Sequence, residues 1–514
     1  MVANGILDQQ LIGLNSLMDN EIKIEAVDDA FIKIRCPKDI AKELNTYFTF
    51  TVPNHKYNPS FRKRLWDGKI RLYNLASQRI YKGMLPYVKK FFDDRHYSYK
   101  NEINEETSYI EEEHIRKFIT DYLKVSSGGK IITPHDYQIN AVTHGIRNKR
   151  ALLLSPTGSG KSLIIYSLIR YFIDNMPKDK SILIVVPTTS LVAQLYNDFA
   201  DYSKLNGWDV KANVKKIYAG ESKAIDKKIV ISTWQSIFRE NEKFFDNFHA
   251  VIGDECHLFK AKSLSMIMEK MKNCPIRFGL SGTLDNTKVH KFIIEGLFGP
   301  LYKVTTTKSL IEKDVLSNIN INCLIFKYSL EECNKVKRVD YRDELDFIFS
   351  SEKRYNMIHQ LCKSLKGNTL VLFSHVETHG KKLYDMMKDF DKRVFYISGE
   401  VPLDEREFIR QKIDTLEDSI LIASYGTCST GINIKNIHNI VFSSPSKSVV
   451  RVLQSIGRGL RKSDNKTHMT LYDLVDDLRY KKYTNHTFNH FIERLKIYEN
   501  EKFPFKLINL NQDS

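Results

Sequence analysis

The apolar run Ala151–Leu154 passes directly into Ser155-Pro156-Thr157-Gly158-Ser159-Gly160-Lys161-Ser162, and the residues that follow, LIIYSLIRYF, have the character of a buried helix. No other stretch restricts the fold as tightly. A strand, a glycine-rich loop and a helix in immediate succession make a phosphate cradle. Gly158 and Gly160 let the backbone come close to phosphate, while loop amides and the helix N-terminus supply positive potential. Thr157 and Ser159 complete the wrap. Lys161 is placed to reach the β- and γ-phosphates of ATP, and the Ser162 hydroxyl to ligate Mg²⁺. The strict form of this loop begins with glycine; here Ser155 stands there, a small residue that does not move the lysine.

The same rhythm of short apolar run, polar loop and longer helical segment continues from about Ile131. A first series comprises Ala151–Leu154, Ile182–Val186, Ile229–Ile231, Ala250–Ile252 and Arg277–Leu280; a second comprises Thr369–Phe373, Arg393–Ile397, Ile420–Ala423 and Ile440–Phe442. Apolar runs alternating with helices predict parallel sheets covered on both faces. The expected fold class is α/β, with two parallel-sheet lobes in tandem, residues 126–308 and 309–514, joined near 300–325. Residues 1–125 have no such series and are expected to form a smaller α+β domain, with the acidic stretch 101–113 as connector or start of an exposed helix. Asn485–Lys502 has helical spacing through Phe488, Phe491, Ile492, Leu495, Ile497 and Tyr498, and is expected to pack on the second lobe.

Bulk properties agree with a multidomain soluble chain. At 514 residues it exceeds a single core. Its net charge of +16 favours a polyanionic partner, since Lys and Arg that neutralise phosphates release counterions. The seven cysteines are dispersed and never at C-x-x-C spacing, which argues against a zinc or iron–sulfur site and for a reducing cytoplasm. No stretch has the length or apolarity of a membrane span or signal peptide, so neither membrane association nor export is expected.

Downstream of the loop, Ala250–Ile252 leads to Asp254-Glu255-Cys256-His257. An acidic pair ending a strand is what a phosphate-loop enzyme requires next. Asp254 is the candidate Mg²⁺ ligand, and Glu255 the residue that polarises the attacking water.

Further ordered motifs carry a resemblance. Pro134-His135-Asp136-Tyr137-Gln138, Val186-Pro187-Thr188-Thr189, Ser232-Thr233-Trp234-Gln235-Ser236, Leu280-Ser281-Gly282-Thr283, Leu372-Phe373-Ser374-His375, Ala423-Ser424-Tyr425-Gly426 through Thr430-Gly431-Ile432-Asn433, and Gln454-Ser455-Ile456-Gly457-Arg458-Gly459-Leu460-Arg461 stand in the order found in superfamily 2 helicases. The resemblance covers about Ile131–Lys462 and implies two RecA-like lobes closing on ATP. It implies adenine contacts from Tyr137 and Gln138, nucleotide contacts from Gly431 and Asn433, and a catalytic contribution from Gln454, Arg458 and Arg461. Many members carry Asp where Asn433 stands. His257 would report nucleotide state between the lobes. Strand contacts would come from Thr188, Thr189, Thr233, Gln235, Ser374 and Ser424. Taken alone, such Ser/Thr residues also cap helices.

In the first 125 residues, HKYNPSFRKRLWDGKIR (His55–Arg71) holds six basic residues against Asp67 alone, interleaved with Tyr57, Phe61 and Trp66. Arg62, Lys63, Arg64, Trp66, Lys69 and Arg71 are candidate DNA contacts. The alternative is a β-hairpin turning at Asp67-Gly68 with its aromatics inward. The NPSFR…WDGKIRL pattern, with DECH, GLSGTL, YISGE and IGRGLRK, is similar to the UvsW family of recombination helicases of T-even bacteriophages. That likeness covers nearly the whole chain. It implies ATP-dependent remodelling of branched, forked or R-loop DNA, including RNA–DNA hybrids, by a monomer in the host cytoplasm. Single-strand-binding or recombination proteins are the implied protein partners. An RNA helicase, or a non-catalytic DNA-binding or annealing protein on a motor fold, remains the alternative.

Overall fold

The computed structural model describes residues 21–105, 109–284, 287–429, 434, 436–460 and 466–510. The chain divides into two compact units: Met1–Leu154 with Ser162–Val304, and Ser155–Lys161 with Thr305–Ser514.

The first unit begins with β1 (Ile22–Ala26), β2 (Phe31–Arg35), β3 (Thr49–Thr51), β4 (Lys69–Arg71), β5 (Arg79–Tyr81) and β6 (Tyr99–Asn101). A mixed sheet runs β5-β2-β1-β6, while β3 and β4 pair separately and antiparallel. Alternation in β1 and β2 puts Ile22, Ile24, Ile32 and Ile34 on one buried face. The helix Leu85–Asp93 adds Val88, Phe91 and Phe92 to the same core. A small ribbon, β7 (Ser126–Ser127) with β8 (Lys130–Ile131), precedes the first large sheet.

That sheet contains β9 (Arg150–Leu154), β10 (Ser181–Val186), β11 (Val214–Ile217), β12 (Ile229–Thr233), β13 (Phe248–Asp254), β14 (Ile276–Ser281) and β15 (Leu301–Lys303). Its order is β11-β12-β10-β13-β14-β9-β15, parallel throughout. Every residue of β10 and β14 is buried, as expected for strands covered on both faces.

The N-terminal sheet shares its core with this lobe. Its buried residues are continuous with Leu152, Val251, Phe259 and Phe298. At the seam, a Cβ on Gly83 would lie 2.1 Å from the Glu295 carbonyl oxygen, and one on Gly296 would lie 2.9 Å from Tyr81. Only glycine permits so close an approach. The Tyr81 hydroxyl donates to Glu269 at 2.6 Å and the Tyr87 hydroxyl to Glu295 at 2.9 Å.

The second unit holds β16 (Asn318–Lys327), β17 (Thr369–Phe373), β18 (Arg393–Ile397), β19 (Ser419–Ser424), β20 (Asn439–Phe442), β21 (His468–Asp477) and β22 (Phe505–Leu510). Their order is β18-β19-β17-β20-β21-β16-β22, again all parallel. Two ion pairs are fully buried on β21: Arg354 with Asp476 at 2.7 Å and Arg494 with Asp473 at 2.8 Å.

Two parallel sheets in tandem behind a mixed sheet match the expected architecture, and every apolar run named above is a strand. The sheets also use β11, β15, β16, β21 and β22, which the run pattern does not mark. The predicted C-terminal helix spans His486–Asn500 and packs through Phe488, Phe491, Ile497 and Tyr498; the chain then returns to the sheet edge as β22. Of the acidic connector, residues 106–108 lie outside the described residues, and a helix begins at Glu112.

Candidate nucleotide and nucleic-acid site

β9 and β13 both pair with β14, so their carboxyl ends emerge two strand spacings apart, about 10 Å. Leu154 and Ser162 therefore border the same sheet end as Asp254. Between them the loop turns on Gly158 at φ 83° and Gly160 at φ 80°, left-handed values that favour glycine. Ser155, the residue departing from the glycine pattern, is fully buried, and its hydroxyl shares a hydrogen bond with that of Ser159 at 2.6 Å. Lys161 Nζ donates to the Ser155 carbonyl at 3.2 Å. Residues 155–161 count with the second unit. Within it, a Cβ on Gly457 would fall 2.5 Å from the Thr157 Cβ, and one on Gly158 2.7 Å from Leu316 Cδ2. Gln454 (buried) and Arg458 lie on the helix Val449–Gly459 that carries Gly457. Gly431, Asn433 and Arg461 lie outside the described residues.

Asp254 is buried at the tip of β13 and accepts the Glu255 backbone N–H at 2.9 Å. Glu255 itself adopts φ 49°. Its carboxylate lies 3.4 Å from His257 Nδ1, and that nitrogen is 3.0 Å from the Ser281 hydroxyl. Ser281 in turn donates to the Thr283 carbonyl at 2.7 Å. The acidic motif and the Ser281–Thr283 motif are thus one hydrogen-bonded unit, a link that sequence spacing alone does not reveal.

Ahead of the loop, the Gln138 side chain accepts the His135 N–H at 2.9 Å in a capping box, which fixes its orientation. The Tyr137 ring stacks on His135, with centroids 5.3 Å apart. Burial pushes the Tyr137 hydroxyl up to about 12, so it stays a neutral donor.

The hydroxyls proposed for strand contact have local work. Thr188 caps the helix Thr189–Tyr202 through Leu191 N–H. Thr233 Oγ1 bonds Ser236 at 2.9 Å, and Ser424 Oγ bonds Thr427 Oγ1 at 2.8 Å; both residues are buried. Gln235 is exposed and donates to the Pro187 carbonyl at 3.3 Å, tying the two first-lobe segments together. The Ser374 N–H donates to the Ser444 hydroxyl at 3.1 Å, and Ser444 also meets the buried His379. No motif in the sequence points to Ser444.

The basic segment is not a hairpin at Asp67-Gly68. β3 and β4 are the paired strands, and residues 52–68 form an excursion between them with helical turns at His55–Tyr57 and Pro59–Arg62. Pro59 and the Asn58 side chain, which accepts Ser60 N–H at 2.9 Å, start the second turn and preclude a strand there. Nor do all the aromatics face inward. Tyr57 is 72% exposed, whereas Trp66 Nε1 donates to the Lys69 carbonyl at 2.8 Å. Arg62, Lys63, Arg64 and Lys69 are exposed and have no carboxylate partner among the described residues, whereas Arg71 pairs with Asp67 at 2.5 Å.

Known proteins align with this geometry. Residues 21–102 match the family described as DNA helicase UvsW, N-terminal. Residues 131–286 match the type III restriction enzyme res subunit, and 353–463 the helicase conserved C-terminal domain. The ATP-dependent DNA helicase uvsW of Enterobacteria phage T4 is 36% identical over 96% of this chain and 100% of its own. The chain belongs to the UvsW family of DNA helicases. The crystal structure of T4 UvsW covers 96% of this chain and 100% of its own at 33% identity, with a TM-score of 0.51. The type ISP restriction-modification enzyme LlaBIII bound to DNA, 14% identical, shares the fold over 76% of this chain and 32% of its own, with a TM-score of 0.57. The N-terminal match and both lobe matches occur in this one polypeptide. No helix among the described residues is long and apolar enough to cross a membrane.

Proposed function

We propose that this protein is an ATP-driven DNA helicase and translocase that remodels branched DNA: forks, four-way junctions and R-loops. The reading is supported by two features: a glycine loop that turns left-handed at Gly158 and Gly160 and ends in Lys161, and a buried Asp254 at the tip of β13. Thr157–Ser162 would wrap the phosphates, Lys161 would neutralise the β/γ end, and Ser162 with Asp254 would hold Mg²⁺. The bound metal would offset charge on the phosphates. Glu255 accepts a proton from the attacking water, and Gln454, Arg458 and Arg461 stabilise charge on the transferring group. Tyr137 and Gln138 meet the adenine, alongside nucleotide contacts from Gly431 and Asn433. Because Glu255 lies beside His257, and His257 is hydrogen-bonded to Ser281 and so linked to Thr283, a change at the water site can be passed to the Ser281–Thr283 loop.

DNA phosphates are gripped at the helix starts after Thr188, Thr233 and Ser424. The hydroxyls there are engaged locally, Thr188 and Ser424 by backbone N–H groups and Thr233 by the Ser236 hydroxyl, so backbone amides make the phosphate contacts. Thr189, Gln235 and Ser374 add side-chain or backbone donors, and the cations of the 52–68 excursion hold a duplex arm.

Unwinding and ATPase stimulation on forked, four-way, R-loop and plain-tailed duplexes test this directly. Branched substrates should stimulate most. Lys161→Ala should lose ATPase and unwinding while retaining most DNA binding. Stimulation by single-stranded RNA alone, or full unwinding by Lys161→Ala, would sink the proposal.

A further inference from the structure

At the seam of the N-terminal sheet with the first lobe lies a groove of about 510 Å³, bordered by β4, β5 and the helix Lys262–Lys270. Cations enter it from three separate segments: Arg71 on β4, Arg79 on β5, and Lys260 with Lys262 beyond the acidic motif. Among its lining residues the only carboxylate is Glu269, which is engaged by the Tyr81 hydroxyl at 2.6 Å. Arg79 and Lys262 have no carboxylate partner among the described residues. The aromatic faces are already used, since Phe31 and Tyr81 stack on each other at 5.2 Å. A site that offers cations and small polar groups but no free ring face reads phosphate backbone and not unstacked bases. Duplex DNA presents its backbone outward in that way.

The groove adjoins the excursion through the Arg71–Asp67 pair. A second depression, lined by Lys56, Arg62, Arg64 and Trp66, ends at Asp67, the residue that pairs with Arg71. Toward the lobe, Lys260 closes the short helical turn Cys256–Lys260 that begins one residue after Glu255.

We propose that this seam groove binds the phosphate backbone of a duplex DNA arm, so that arm binding is felt on the segment carrying the acidic motif. The proposal rests on the reading of the chain as a DNA motor. Each phosphate contact contributes about 0.9 to the slope of log affinity against log salt. The combined variant Arg79→Gln, Lys260→Gln, Lys262→Gln should therefore flatten the slope for forked duplex by about 2 to 3. Fork-stimulated ATPase should fall with it, while ATPase on single-stranded DNA should hold. Lysine acylation of the wild-type protein, read by mass spectrometry, provides a test independent of the variant's folding. Lys260 and Lys262 should be protected by forked duplex and not by a single strand of equal length. An unchanged slope, no protection, or equal protection by the single strand would overturn the groove assignment. Such a result with wild-type unwinding intact leaves the motor reading standing; loss of wild-type unwinding itself would be the failure of that reading.

Discussion

Glu255 occupies a left-handed backbone conformation that costs a non-glycine residue about 1 kcal/mol. The geometry aims its carboxylate back toward His257, and through it toward Ser281. Glu255→Gln should keep nucleotide affinity and lower kcat by about 10² to 10⁴, read from steady-state ATPase beside nucleotide titration. Ser281→Ala removes one hydroxyl from both His257 and the Thr283 carbonyl. Its expected signature is a fall in kcat of about tenfold with KM for ATP unchanged, equivalent to about 1.4 kcal/mol at the transition state; an unaltered kcat would show that the link carries no load. The placement of Lys161 after β9 and of the Asp254–Glu255 pair at the end of β13 is legible in the sequence, because each follows directly on an apolar strand run. The His257–Ser281 contact is not. It depends on β13 and β14 lying side by side, a fact about sheet order. Thr233 and Ser424 stand at motif positions, yet their buried hydroxyls are bonded to Ser236 and Thr427, which a residue letter cannot tell.

The helices and strands of the second unit are pinned by charge in a way that apolar patterning hides. Arg354 and Asp476 are both inaccessible to solvent, and the arginine also donates to the Ser443 carbonyl at 2.8 Å. Arg354→Met alone should destabilise by about 3–5 kcal/mol, because it strands a buried carboxylate; adding Asp476→Leu should recover much of that in urea unfolding. His490, on the helix His486–Asn500, is pushed down to about 4 by burial first, then by Lys447 and Arg494, against an opposing pull from Glu344. The unfolded chain takes up this proton near 6.5, so the contribution to stability is complete above that pH and is lost as pH falls toward 4. With part of the ring exposed, the loss is on the order of 1–2 kcal/mol. His490→Gln should flatten the pH dependence of Tm across that window. Strands were readable where they are apolar on both faces, as in β10 and β17. β16 and β21 escape the run pattern because Asn318, Asn320, Asn322 and the buried aspartates of β21 break the run; β11 has two lysines inside it, and β15 is only three residues long.

At the scale of the whole chain, the N-terminal sheet and first lobe share one core. Composition marked residues 1–125 as different in kind, and the sheet is indeed of another class. The shared core is invisible to composition, because the seam is made by Gly83 and Gly296, two glycines that look like ordinary turns in sequence. Gly296→Ala places a methyl 2.9 Å from Tyr81 and should cost about 1–3 kcal/mol. Its effect should appear as concerted loss of protection in both the mixed sheet and the lobe during hydrogen exchange. Loss confined to one of them would mean that the seam is a contact between separate folding units.

β22 closes the second sheet along β16, so the final described strand is also its outermost one. Leu507 and Ile508 stay partly open to solvent beside the exposed Lys506, a charge that blunts the edge. Removal from Phe505 onward would uncover a ten-residue strand rich in isoleucine, with unmet backbone donors and acceptors along its length. Colloidal behaviour is then the property at stake. Such a truncation should self-associate in light scattering at concentrations where the full chain stays dispersed, and a purification handle that frays these six residues should do the same.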